Sequence, residues 1–81
     1  MQQGNMMNEE IAAEMKLLAL FNLESMQEGI KVHHSAGDSA IAAAQRLFGK
    51  GLVSQPDGGY LTDEGVEVAE HLQTVLRILG S

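Results

Sequence analysis

The sequence predicts a mainly helical α+β fold in the order helix, short strand, helix, β-hairpin, helix. Three observations predict it. Apolar residues recur at helical spacing in three stretches, near residues 11–23, 39–48 and 63–79. Two short apolar runs, residues 52–55 and 60–62, flank Pro56-Asp57-Gly58-Gly59, the composition of a hairpin turn. A brief alternation, Ile30-Lys31-Val32-His33, reads as an isolated strand.

Residues 1–7 carry no periodicity and are expected to be a disordered tail, leaving residues 8–80 as one domain. Asn8 is placed to cap the first helix, with Glu9 and Glu10 suited to its positive end. Leu17, Leu18, Leu20 and Phe21 spread around the helical wheel, and a helix apolar on several sides is expected to be buried on several sides. Ser25-Met26-Gln27-Glu28 has the spacing of a capping box, but Gly29 follows and limits it to a turn. Ser35 or Asp38 is the expected cap of the second helix, whose core stripe is Ile41, Ala44, Leu47 and Phe48. Gly49 and Gly51 end that helix, and Lys50 suits its negative end. Thr62 caps the third helix, with Asp63 and Glu64 in its first turn. Val68, Leu72, Val75 and Leu79 step by four, three and four along it, a coiled-coil-like seam that Ala69 and Leu76 widen.

Composition narrows the function. A chain of 81 residues buries a small core and gains from a partner subunit. It has no cysteine, so disulfides and the common zinc sites are excluded and a reducing, cytoplasmic setting is expected. No apolar run approaches membrane-spanning length, and the first eight residues lack the plan of a signal peptide. The net charge of −6 disfavours anionic membranes and nucleic acid. Acids concentrate at both ends: residues 37–62 balance Asp38 and Asp57 against Arg46 and Lys50.

Candidate chemistry is sparse. His33 and His34 are neighbours on a strand and face opposite ways, so they cannot readily share a metal with His71 or Asp38. One of the pair is expected to be half-buried and the other solvated. Ser35 or Ser39 beside a histidine and Asp38 is no evidence for a catalytic triad, which three-dimensional geometry alone defines. Gly58-Gly59 is too short to cradle a phosphate and is explained as a turn. No catalytic residue, metal or cofactor is therefore expected. Ala40, Ala42, Ala43 and Ala44 either let another helix approach closely or serve as strong helix formers; both readings stand.

The phrases Arg46-Leu47-Phe48-Gly49-Lys50-Gly51-Leu52-Val53 and Asp57-Gly58-Gly59-Tyr60-Leu61-Thr62-Asp63-Glu64-Gly65 resemble those of winged-helix regulators. There a helix ends in a "KGLV"-like phrase, a wing hairpin follows, and an "LTxEG"-like phrase opens the closing helix. Gly51 permits the exit from the helix, Leu52 and Val53 anchor the first wing strand, Gly58-Gly59 make the turn, and Tyr60 and Leu61 return to the core. The chain from Leu17 to Leu72 also resembles a small group of uncharacterised bacterial proteins of similar length, through "GIKVHHSA", "AAAQRLFGKGL" and "QPDGGYLT". The winged-helix plan has two helices before the recognition helix. Only residues 25–29 offer room for the additional one.

Two functions follow as expectations. The first is a non-enzymatic, homodimeric, winged-helix-like module that contacts protein partners, with Val68, Leu72, Val75, Leu76 and Leu79 as the dimer interface. The alternative is a DNA-binding transcription regulator. It would use the helix of residues 39–50, through Ser39, Ala43, Arg46 and Lys50, and the wing of residues 55–59. Two cations per subunit make a weak phosphate footprint, which favours the first.

Overall fold

In the computed structural model, which describes residues 8–25 and 27–80, the elements follow the expected order. They are α1 (Glu9–Leu20), β1 (Ile30–Lys31), a 3-10 turn (His34–Ala36), α2 (Asp38–Gly49), β2 (Val53–Gln55), β3 (Gly58–Leu61) and α3 (Asp63–Gly80). The expected tail, residues 1–7, lies outside the described residues, as does Met26 of the expected turn.

Asn8 caps α1, its side-chain oxygen accepting the Ile11 N–H at 2.8 Å. The helix stops at Leu20 rather than Leu23. Phe21 is extended, and the Asn22 side chain accepts the Glu24 N–H at 2.9 Å, which turns the chain away from the helix axis. The expectation of burial on several sides is corrected: Leu17, Leu18 and Phe21 are buried, but Leu20 stays 67% exposed. Its main neighbours are α2 and α3.

The inward face of α2 is Ala43, Ala44 and Leu47; Phe48 is exposed and Ile41 half-buried. The core stripe is therefore rotated from the expected one. Ala43, without any exposed surface, and Ala44 pack in the core cluster with Leu17, Leu18 and Phe21 of the α1 region, whereas Ala40 and Ala42 are half-buried. Neither Ser35 nor Asp38 caps α2; Gly37 does, with no side-chain hydrogen bond. At the other end the Leu52 N–H donates to Leu47 O and the Gly51 N–H to Phe48 O, a Schellman closure with Gly51 at φ +78°.

The hairpin is present, and the isolated strand joins it. The sheet is antiparallel with order β1-β3-β2, pairing Ile30 with Gly59 and Val53 with Leu61. The turn itself is Pro56-Asp57, so the expectation that the glycines form it is corrected. Gly58 and Gly59 open β3 with φ of +120° and +74°, where an irregular register admits one extra residue. A Cβ on Gly58 would stand 2.7 Å from Ile30 O, so the middle strand needs glycine both for its conformation and for the closeness of β1. Strand alternation sends Tyr60 outward, 49% exposed, while Leu61 packs on the core as expected. β1 ends at Lys31, and His33 and His34 are both exposed, which corrects the expected split between them.

Thr62 is the hinge pin between sheet and α3. Its hydroxyl accepts the Gly65 N–H at 3.0 Å and donates to Gly51 O at 2.6 Å, while its own N–H donates to Leu52 O. Gly65 lies so close that a Cβ there would overlap Leu52 O. The core of Leu17, Leu18, Phe21, Ala43, Ala44, Leu47 and Val53 thus sits between α1, α2 and the sheet, with α3 laid across it.

Candidate functional site

Two features stand out: a buried carboxylate that holds the cations of α2, and a helix that outruns its own core. Glu14 lies on the α1 face turned toward α2 and is 7% exposed. Arg46 Nε donates to its Oε2 at 2.7 Å, and Lys50 Nζ donates to its Oε1. Arg46 and Lys50 are one helical turn apart, so both reach one carboxylate. Arg46 also donates to Glu10 O at 3.1 Å, at an exposed site. Burial alone would raise the Glu14 pKa; the hydrogen bonds from Lys50 and Arg46, with their charges, outweigh it and hold the carboxyl below its ordinary value.

The four residues expected on a DNA-facing surface are therefore not brought together as a free patch. Ser39 is exposed, but Ala43 is fully buried against the core, which corrects its expected outward position. Arg46 and Lys50 point toward α1 and share Glu14. Glu14, the one acid among residues 11–23, is a site residue that the sequence motifs do not single out. A lone acid on an apolar helix, with two cations at i, i+4 on another, is the signal that would have found it.

On α3 the inward face is Gly65 and Ala69, with Leu72 packed against the core edge. Gln73 ties this helix to the end of α1, its side-chain amide donating to Leu18 O at 3.2 Å and Phe21 O at 3.0 Å. Those are carbonyls that the end of α1 leaves without helical partners. Beyond Gln73 every residue through Gly80 is exposed. Val75 is 50% exposed, Leu76 44% and Leu79 77%, and Val68 is 40% exposed one face over from Ala69. At 100° per residue Val68, Val75 and Leu79 form one stripe, about a quarter turn from the inward face. Of the five expected interface residues, the structure thus puts Val68, Val75 and Leu79 on one exposed line, with Leu72 and Leu76 along its inner border.

Among the described residues no three His, Asp or Glu side chains gather in a way that could hold a metal ion, and no helix is long and apolar enough to cross a membrane. The family model that matches the chain is described as "Family of unknown function (DUF5669)", and it covers residues 5–80. The chain belongs to that family. No curated protein and no solved structure matches it. Membership of DUF5669 agrees with the expected small uncharacterised family and spans all three helices and the sheet of this chain.

Proposed function

We propose that this DUF5669 chain is a non-enzymatic, winged-helix-like module that works as a homodimer, with α3 as the dimerisation helix. The observation that carries the reading is the stripe of Val68, Val75 and Leu79, exposed on a helix whose last seven residues lie outside the core. An exposed contiguous apolar line on a small acidic domain marks association.

Charge along the same line selects the pairing. Glu64 stands on the stripe near its N-terminal end. Parallel helices would put the two Glu64 carboxylates side by side, at a cost from like charges. Antiparallel helices centred between Leu72 and Val75 set Val68 against the partner's Leu79 and Leu72 against the partner's Val75. That arrangement leaves Glu64 beyond the end of the facing helix.

The chain has no native cysteine, so an engineered pair tests the arrangement directly. Val68 and Leu79 lie eleven residues apart on one helix, about 16 Å, too far for a disulfide within a chain. The Val68→Cys, Leu79→Cys double variant is expected to form a covalent dimer on mild oxidation, and Val68→Cys alone is not. Persistence of monomer in the double variant, or equal cross-linking of the single one, would contradict the antiparallel dimer.

The DNA-binding alternative needs Arg46 and Lys50 for phosphate contacts, and Glu14 competes for both. The winged-helix plan also has a full helix ahead of the recognition helix, where this chain has only the 3-10 turn His34–Ala36. No measurable binding to random duplex is expected at about 150 mM salt. Tight binding that is lost in a folded Arg46→Ala, Lys50→Ala variant would reverse the preference.

A further inference from the structure

A cleft of about 630 Å³ runs between β1, the hairpin turn and the outer side of α2. That size is within the range of small-molecule sites. Backbone bonds tie its walls together: the Val32 N–H donates to Asp57 O at 2.8 Å, and Lys31 pairs with Gly58 in the sheet. Its floor is apolar, made by Val32, Ile41 and the buried Ala44. Its rim carries Lys31, His33 and His34 on one side, with Asp57 the sole carboxylate among the lining residues.

This arrangement departs from the acidic balance of the molecule. The chain as a whole carries −6 with histidine counted neutral; on the same count Lys31 and Asp57 cancel in the lining, and His33 and His34 add two imidazoles beside Lys31. Gln45 and Gln55 add amide donors and acceptors at the same mouth. An apolar floor with a few convergent polar groups is the make-up of an orienting pocket, and the Lys31 ammonium with the N–H donors of two neighbouring imidazoles suits a negative head group. We propose that the cleft is a binding site for a small organic anion, a carboxylate or related acid carried on an apolar body. The body rests on Ile41, Ala44 and Val32, and the charged head meets Lys31, His33 and His34. No residue of α3 lines the cleft, so it operates independently of the dimer helix.

The test is an NMR titration of the isotope-labelled full chain with three probes of one shape: 2-naphthoate, 2-naphthalenemethanol and 2-naphthylmethylammonium. Naphthoate is expected to shift the amides of Lys31, Val32, His33, His34, Gln45 and Asp57 saturably, with a Kd of about 1 mM or tighter. The alcohol and the cation are expected to bind at least about fivefold more weakly, since only the anion gains the charge-assisted contacts. The Lys31→Gln, His33→Gln, His34→Gln variant alters exposed side chains and is expected to lose the preference for naphthoate. Gln45→Glu, which sets a carboxylate on the facing wall, is expected to weaken naphthoate binding as well. Equal affinity for all three probes, shifts centred on Val75 and Leu79, or unchanged naphthoate binding in both variants would each overturn the assignment.

Discussion

Glu14 is the residue whose removal has the clearest consequence. It is 7% exposed and receives both Arg46 and Lys50, so it joins α1 to α2 by charge where Ala43 joins them by shape. Glu14→Gln keeps the volume and loses the charge. We expect it to cost about 1–2 kcal/mol, below the figure for a fully buried pair because the two cations reach solvent. The carboxyl is held below its ordinary value of 4.5, so its contribution is present above that pH and is lost as pH falls through the lower folded value. Denaturant unfolding of the two proteins should therefore show a gap that is full near neutrality and closes below pH 4.5. A gap that stays constant to strongly acid pH would remove the ion pair from the account. Gly65 supplies a second test at this scale. Alanine is favoured in a helix by about 1 kcal/mol over glycine. Here the added Cβ would overlap Leu52 O, so Gly65→Ala should lower the melting temperature. A higher one would show that α3 has room to move off β2.

At the scale of elements, capping and turn chemistry decided what could be anticipated. Asn8 and Thr62 were legible as caps because their side chains act within three residues, and both make the expected bonds. Thr62→Ala is expected to destabilise by about 1 kcal/mol or slightly more, because the same hydroxyl also donates to Gly51 O. An unchanged thermal unfolding curve would contradict that role. The hairpin was legible in Pro56-Asp57-Gly58-Gly59, but its register was not. Gly58 and Gly59 were expected in the turn because that is where positive φ is commonest. They stand one step later because β1 packs across them, and a contact between residues 30 and 59 leaves no local mark in the sequence. The same limit hid the true face of α2. Ile41, Ala44, Leu47 and Phe48 form the most apolar stripe, but the close approach of α1 over Ala43 sets the inward face, and Phe48 is left outside. The Arg46 and Lys50 pairing had a signal, the lone acid Glu14 on an apolar helix, but its partners lie more than thirty residues away and only the packing of α1 on α2 joins them.

The whole molecule spans 40 × 28 × 22 Å, and its long dimension exceeds what the short sheet and α1 can cover. An 18-residue helix is about 27 Å long, whereas the 12-residue α1 beneath it is about 18 Å. The surplus is the apolar C-terminal half of α3, which in the proposed dimer pairs with a second copy. Hydrophobic burial there would also support a domain whose own core is small. The most direct measurement is mass in solution by light scattering or sedimentation equilibrium across micromolar concentrations. The expected mass is twice the 8.7 kDa of the chain, falling to the single value when Val75→Glu and Leu79→Glu are combined, with the helical circular dichroism retained. A mass that stays at 8.7 kDa for the unaltered chain throughout that range would contradict the account at its centre.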